Sequence, residues 1–257
     1  KPYGRHHGAL LFMLLMLLPG ASHSQASVIG TGDISLTMTL AEAAGEATAQ
    51  AVSDAFTASE PLTWKVYVPE TYNPDKPAGL MVWISPTPSG KIIRPWKPVM
   101  DKHNIIWIGA EASGNRIAVA RRSILALVGA KIARDRYAID PQRTYVAGFS
   151  GGGKVASMVA PNATSLFRGA AYFMGVEYFE QYPNHGIEAI AQNRYVFVSG
   201  TEDFNLKPTR RVFRQYKDAG VNAVDLMIFP RLGHRLPDAT GMDRIIRFLD
   251  GDPRAND

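Results

Sequence analysis

The feature of this sequence that most constrains its fold is a series of short apolar runs separated by segments with helical spacing. Continuous apolar runs of this kind are typical of strands buried on both faces of a sheet. Apolar spacing predicts a helix over 118–134, and Pro208 and Gly220 are placed to begin and end another. This alternation predicts an α/β fold with a mostly parallel central sheet and helices on both faces. The apolar runs lie at residues 79–84, 105–110, 144–147, 169–175, 195–199 and 224–229.

The length of the chain suits one domain. It has 257 residues, of which 46% are hydrophobic, and this is enough for one complete hydrophobic core. We therefore expect residues 27–257 to form a single domain. Within it, residues 27–60 form an N-terminal extension of uncertain structure. Residues 34–40 resemble a strand, whereas the alanine-rich residues 41–59 permit a helix but have no wide apolar stripe.

The N-terminal segment has the pattern of an export signal. Basic residues come first, an apolar run covers residues 9–18, and a Pro-Gly pair follows. The run is too short to cross a bilayer core about 30 Å thick, and residues 24–26 (SQA) offer a cleavage site. We predict a signal peptide at residues 1–26, a secreted or periplasmic protein, and no stable membrane insertion after cleavage. An uncleaved membrane anchor is the alternative.

The charge and cysteine content narrow the range of partners. The formal net charge is +5, and no long run of one sign occurs. The pairs Arg121-Arg122 and Arg210-Arg211 are more typical of solvated helix surface than of a nucleic-acid patch, so we expect no nucleic-acid binding. The absence of cysteine excludes disulfides, thiolate metal sites and a cysteine nucleophile. We expect neither a metal nor another cofactor.

The stretch TYVAGFSGGGKVASM, residues 144–158, contains two motifs with different chemistry. G-x-S-x-G, from Gly148 to Gly152, presents a serine nucleophile on a tight turn between a strand and a helix. G-x-x-x-x-G-K, from Gly148 to Lys154, is most of a phosphate-binding loop. Such a loop needs a hydroxyl after its lysine to bind Mg²⁺, and that position is Val155. The pattern therefore favours the serine turn.

Ser150 is the predicted nucleophile, and it requires a base and an acid. An imidazole must accept the serine proton, and a carboxylate must hold the imidazole in the correct tautomer. On an open α/β sheet these residues follow the serine in the order acid, then histidine, each just after a strand. Asp203 and His234 meet both conditions, and we predict them as the orienting acid and the base. Glu202 is the alternative acid.

The attack of a serine on a carbonyl creates a negatively charged oxygen, which needs fixed hydrogen-bond donors. The backbone N–H of Gly151, directly after the nucleophile, is one predicted donor. The second is expected in the loop SPTPSG, residues 85–90, where the two prolines have no N–H. Thr87 is the predicted second donor, with Ser85 or Ser89 as alternatives.

Several segments of the chain resemble one known group of proteins. They are WKVYVPETYNPDKPAGLMVWIS, IDPQRTYVAGFSGGG, VSGTED and the LGH that ends at His234. They are similar to segments of the α/β-hydrolase superfamily, in particular of secreted serine esterases related to polyhydroxybutyrate depolymerases and feruloyl esterases. The resemblance covers roughly residues 60–250. It implies hydrolysis of carboxylic esters through an acyl-enzyme, with Ser150 as nucleophile, His234 as base and Asp203 as its orienting acid.

The chain also departs from these relatives. Many of them carry His-Gly after the third strand, where this chain has Ser85-Pro86. Depolymerases commonly have cysteines and a separate polymer-binding module, and we expect neither feature in this chain, which has no cysteine. The expected substrate is therefore a small-molecule or short oligomeric ester. The alternatives are a peptidase or polyester depolymerase of the same fold, and a non-catalytic binding module.

Residues 175–195 occupy the place where such folds often insert a lid, and they are too few for a large one. Tyr178 and Phe179 in this segment, together with Trp96, are the predicted substrate-binding aromatic residues. Tyr182 belongs to the same group. The alternative is that these rings only pack the loops onto the domain.

Overall fold

The computed structural model describes residues 30–179 and 186–252. The predicted leader and Tyr182 lie outside these residues, so the leader stays a prediction. The described residues form an α/β fold in which strands and helices alternate along most of the chain. No helix among them is long and apolar enough to cross a membrane.

Eight strands of the described chain form one sheet: β1 (Gly32–Met38), β2 (Leu62–Val68), β3 (Ala78–Ile84), β4 (Ile105–Ala110), β5 (Ile139–Phe149), β6 (Gly169–Phe173), β7 (Arg194–Gly200) and β8 (Val224–Phe229). Their order in the sheet is β1-β2-β4-β3-β5-β6-β7-β8. β2 pairs antiparallel with both β1 and β4, and the pairs from β4 to β8 are parallel. The mostly parallel sheet that the sequence predicts is confirmed.

The α-helices of the described residues are α1 (Leu40–Ala44), α2 (Glu46–Ala51), α3 (Lys97–His103), α4 (Val119–Arg136), α5 (Gly151–Asn162), α6 (Ile187–Ala191), α7 (Leu206–Asp218) and α8 (Ala239–Leu249). The first two lie in the extension whose structure the sequence left open. Thr39 and Glu42 form a capping box at the start of α1, because each side chain bonds to the backbone N–H of the other residue.

The two faces of the sheet bury different sets of side chains, because alternate residues of a strand point to opposite faces. In β3, Leu80 and Val82 belong to one hydrophobic core, and Met81 and Trp83 belong to the other. α4, α5 and α7 pack on the first face, and α3 and α8 pack on the second. Every residue of β3 is buried, so the helices cover both faces as predicted.

The direction of the strands brings three distant parts of the chain to one edge of the sheet. β5 and β7 both pair in parallel with β6, and β8 pairs in parallel with β7. The carboxyl ends of these strands therefore lie at the same edge of the sheet. Ser150 directly follows β5, Asp203 lies in the turn after β7, and His234 lies in the loop after β8. The connection from β6 to β7 covers only residues 174–193, which leaves no room for a large lid.

Candidate active site

The turn that carries Ser150 has the geometry that its motif requires. β5 ends at Phe149, α5 begins at Gly151, and Ser150 between them has φ 54° and ψ −120°. A positive φ is uncommon for a residue with a side chain, and it is typical of the sharp turn that the G-x-S-x-G motif predicts. Gly152 permits the turn, because a Cβ at this residue would lie 1.9 Å from the carbonyl oxygen of Ile84.

The structure brings Ser150, His234 and Asp203 into one hydrogen-bonded chain. The Oγ of Ser150 lies 2.9 Å from Nε2 of His234, and Nδ1 of the same imidazole lies 2.8 Å from Oδ1 of Asp203. The carboxylate therefore accepts a hydrogen bond from Nδ1–H, and this leaves Nε2 free to accept the serine proton. The distances suit the roles that the sequence predicts for the three residues, and the roles themselves stay a prediction.

The carboxylate of Asp203 is fully buried, and its oxygens have further donors. Its Oδ2 accepts a hydrogen bond from the hydroxyl of Ser199 at 2.7 Å, and its Oδ1 accepts one from the N–H of Asn205 at 3.1 Å. These bonds hold the carboxylate plane in one orientation toward His234. Glu202, the alternative acid, is exposed to solvent. Sequence reasoning missed Ser199, although it is the hydroxyl near the end of the apolar run of β7.

Two phenylalanine rings flank the imidazole of His234. The centroid of Phe149 lies 4.9 Å from that of the imidazole, and the centroid of Phe204 lies 4.2 Å away in a stacked arrangement. Phe204 is 74% exposed, so it offers an apolar surface to solvent beside His234. Sequence reasoning did not single out either ring. Their positions next to Ser150 and Asp203 in the chain are the signal that could have found them.

The lysine of the competing phosphate-loop motif takes no part in this arrangement. Lys154 Nζ forms a partly exposed ion pair with Glu177 at 2.7 Å, and Val155 is buried in the core. In the ranges 30–179 and 186–252, no three histidine, aspartate or glutamate side chains are grouped so as to hold a metal ion.

The loop after β3 lies close to the start of α5, where Ser85 approaches Gly152, and Thr87 in this loop bonds to Ser85. The N–H of Thr87 donates a hydrogen bond to Oγ of Ser85 at 3.1 Å, and the two hydroxyl oxygens lie 3.0 Å apart. The backbone N–H of the predicted second donor therefore already has an acceptor. The N–H of Gly151 belongs to the first turn of α5, where backbone donors have no acceptor within the helix.

A buried arginine connects this loop to the start of α5. Arg122 donates to the carbonyl oxygen of Ser85 at 2.7 Å and makes a longer contact of 3.4 Å with that of Gly151. Burial away from water lowers the pKa of Arg122 to about 10. The prediction of a solvated Arg121-Arg122 pair is thus wrong for Arg122, which lies on the inner face of α4. Arg121 instead forms an ion pair with Glu60.

A cavity of about 340 Å³ is lined in part by Phe149, the residue before Ser150. Its apolar wall includes Trp83, Trp96, Phe149 and Leu236, and Thr87 is among the polar residues at its edge. Trp96 lines this cavity and is fully buried, and its contact with a substrate stays a prediction. Its Nε1 donates to the carbonyl oxygen of Pro237 at 3.0 Å, and this bond fixes the ring.

Tyr178 and Phe179 are not among the residues that line this cavity. Their rings pack on Tyr216 of α7, with centroid distances of 6.1 and 4.8 Å. They belong to the hydrophobic core on the face that carries α5 and α7. This packing on a large buried ring, Tyr216, fits the alternative that they hold the loop onto the domain, and their binding of substrate stays a prediction.

Comparison with known proteins shows the fold. No protein-family model matches the sequence, and a search of curated proteins found no match. Among solved structures, a ferulic acid esterase superposes with a TM-score of 0.62 at 14% identity, over 86% of this chain and 98% of the other. One of two fungal esterases from Rhizomucor miehei superposes with a TM-score of 0.62 at 11% identity, over 95% of this chain and 90% of the other.

A dipeptidyl aminopeptidase IV-like protein from Bacteroides ovatus gives a TM-score of 0.63 at 15% identity over 86% of this chain. The chain spans 36% of that protein's length. Taken with the strand order and the serine turn, these likenesses show that the chain has the α/β-hydrolase fold, as its sequence predicted. Its neighbours in structure include esterases and this peptidase-like protein.

Proposed function

We propose that this protein is a serine hydrolase that cleaves carboxylic esters through an acyl-enzyme. The observation that supports the proposal is the unbroken hydrogen-bonded chain from Ser150 through His234 to Asp203, with distances of 2.9 and 2.8 Å. A hydroxyl, an imidazole and a carboxylate in this order activate a serine for attack on a carbonyl.

In the first half of the reaction, Oγ of Ser150 forms a bond to the carbonyl carbon of the ester. The serine proton passes to Nε2 of His234, and the electron pair of the C=O bond moves onto the carbonyl oxygen. Asp203 stabilises the imidazolium that forms. When the electron pair returns, the bond to the alcohol oxygen breaks, and the alcohol leaves with the proton from His234.

In the second half, a water molecule takes the place of the alcohol. His234 accepts a proton from the water, whose oxygen bonds to the acyl carbon, and a second negatively charged oxygen forms. The collapse of this intermediate breaks the bond to Ser150, which regains its proton from His234. The carboxylic acid is released, and the enzyme returns to its first state.

The cavity next to Phe149, the residue before Ser150, supports a small or aromatic ester as substrate. Its volume of about 340 Å³ lies at the lower end of the range of small-ligand sites. Its apolar wall of Trp83, Trp96 and Phe149 suits a ring or a short acyl chain. One structural neighbour is named a ferulic acid esterase, which agrees with this class.

The place of action proposed for this enzyme rests on the leader at residues 1–26. A basic start, an apolar run and small residues at the cleavage site are the signs of export. We propose a secreted or periplasmic enzyme that meets its ester outside the cytoplasm. It needs no cofactor in the mechanism above, and we propose no nucleic-acid partner.

The proposal predicts that Ser150→Ala abolishes the hydrolysis of p-nitrophenyl acetate. Loss of the nucleophile should lower kcat by at least about 10⁴-fold, since the remaining groups only bind and polarise the ester. A fluorophosphonate probe should label wild type at Ser150 and fail to label the variant. Ser59→Ala, at an exposed serine distant from the site in sequence, is the matched control and should keep full activity. Equal turnover in wild type and Ser150→Ala would contradict the proposal.

A peptidase of the same fold is the second candidate, because a dipeptidyl aminopeptidase IV-like protein is among the structural neighbours. Hydrolysis of a p-nitroanilide as fast as that of the matching p-nitrophenyl ester would favour it. Hydrolysis of the ester alone favours the esterase. Binding of an ester with no turnover would indicate a non-catalytic module.

A further inference from the structure

The proposed reaction needs two donors for the negatively charged oxygen, and the loop after β3 offers few. In residues 85–90, Pro86 and Pro88 have no N–H. The N–H of Thr87 donates to Ser85, and the N–H of Gly90 donates to Glu111 Oε1 at 2.8 Å. The second donor is therefore to be sought among side chains near Gly151 as well as in this loop.

The side chain of Asn115 lies directly against Gly151. A Cβ built on Gly151 would lie 2.2 Å from Oδ1, 2.7 Å from Cγ and 3.0 Å from Nδ2 of Asn115. The carboxamide thus occupies the space that a side chain at position 151 would fill. Gly151 has no Cβ, and this lets the amide group approach the same peptide unit whose N–H is the first predicted donor.

The backbone that carries Asn115 is attached to the loop after β3. The N–H of Asn115 donates to the carbonyl oxygen of Pro86 at 2.9 Å, and the N–H of Ala112 donates to that of Pro88 at 2.6 Å. These two bonds fix residues 112–115 against the loop after β3. With the backbone of Asn115 fixed in this way, only the torsions of its side chain have to be ordered when the charge forms.

The carboxamide of Asn115 has N–H donors that form no hydrogen bond among the described residues. Asn115 as a residue is exposed, and within the described part of the chain no atom forms a hydrogen bond with its carboxamide. Its amide group carries two N–H donors, and rotation about the Cβ–Cγ bond exchanges the positions of Oδ1 and Nδ2. An N–H can therefore point at an oxygen held by Gly151 without breaking an existing bond.

We propose that Asn115 is a catalytic residue that donates the second hydrogen bond to the negatively charged oxygen. This inference rests on the proposed ester hydrolysis. As Ser150 Oγ bonds to the carbonyl carbon and its proton passes to His234, the C=O electron pair moves onto oxygen. The N–H of Gly151 and Nδ2–H of Asn115 donate to that oxygen, and both bonds weaken when the C=O bond re-forms.

The test compares Asn115→Ala and Asn115→Asp with wild type, using the full chain and p-nitrophenyl acetate. Loss of one such donor should lower kcat by about 10²- to 10³-fold and leave KM nearly unchanged. Asn115→Asp should lose at least as much, because a carboxylate has no N–H and repels the negative oxygen. Arg116→Ala, at the exposed neighbour in the same loop, is the matched control and should keep wild-type kcat.

A second measurement separates catalysis from structure. A trifluoromethyl ketone forms a negatively charged hemiketal with a reactive serine, so Asn115→Ala should weaken its binding by about the same factor as it lowers kcat/KM. The melting temperature should change little, because the side chain is exposed.

Three outcomes would overturn the inference. Wild-type kcat and ketone affinity in both Asn115 variants, with Ser150→Ala inactive, would refute it and leave the proposed function intact. A large loss of kcat in Thr87→Val with none in Asn115→Ala would assign the donor to the hydroxyl of Thr87. No serine-dependent turnover in wild type would refute the proposed function, and this inference with it.

Discussion

The replacement of Asp203 by asparagine tests how the structure orients the histidine. Both carboxylate oxygens only accept hydrogen bonds, and three donors bind them, from His234, Asn205 and Ser199. An asparagine must place its NH₂ group at one of the two positions. At the Oδ1 position it would oppose two N–H donors, from His234 and Asn205. At the Oδ2 position it would meet only the hydroxyl of Ser199, which can rotate and accept.

The structure therefore predicts that the amide oxygen of Asp203→Asn faces His234 and that the imidazole keeps its tautomer. The substitution then weakens the hydrogen bond to His234, because a neutral acceptor replaces a charged one. Hydrogen bonds to charged groups contribute about 1.5–3 kcal/mol and neutral ones about 0.5–1.5 kcal/mol. The difference of about 1–1.5 kcal/mol corresponds to roughly a tenfold fall in kcat. Asp203→Ala removes the acceptor altogether and should lower kcat by about 10⁴-fold.

The assay is the kcat of the two purified variants on p-nitrophenyl acetate, with thermal unfolding measured to show that each is folded. Retention of roughly a tenth of wild-type kcat in Asp203→Asn, far above Asp203→Ala, is the expected result. If Asp203→Asn were as inactive as Asp203→Ala, the argument from Ser199 would be wrong, and the amide would have to face His234 with its NH₂ group.

Two further substitutions test contacts around the site. Phe204→Ala removes the ring stacked on His234 and should lower kcat/KM for an aryl ester by about threefold to tenfold. An unchanged kcat/KM would show that the exposed ring neither contacts the substrate nor holds the imidazole. Arg122→Met leaves the carbonyl oxygen of Ser85 without its donor and should lower the free energy of unfolding by about 1–3 kcal/mol in urea titrations. Stability equal to that of wild type would show that this carbonyl needs no buried donor.

Much of the fold could be predicted because burial in a parallel sheet produces a recognisable pattern of apolar residues within each strand. A strand covered on both faces must be apolar at every position, and the runs at 79–84 and 105–110 became β3 and β4 almost residue for residue. No local sequence pattern predicts the strand order β4-β3-β5, because it depends on which strand edges meet after the helices pack. The short helices α1 and α2 were also left open, since alanine-rich segments satisfy a helix without showing which face is buried.

The sequence by itself determined the alternation of strands and helices, the serine turn at Ser150, and the chain order that singled out Asp203 and His234. These follow from local rules, because a tight turn needs glycines nearby and parallel strands end at one edge. Only the tertiary structure decided what surrounds them. It placed Asn115 against Gly151 and buried Arg122, since contacts between residues far apart in the chain depend on how loops and helices pack together, and no local pattern records that packing.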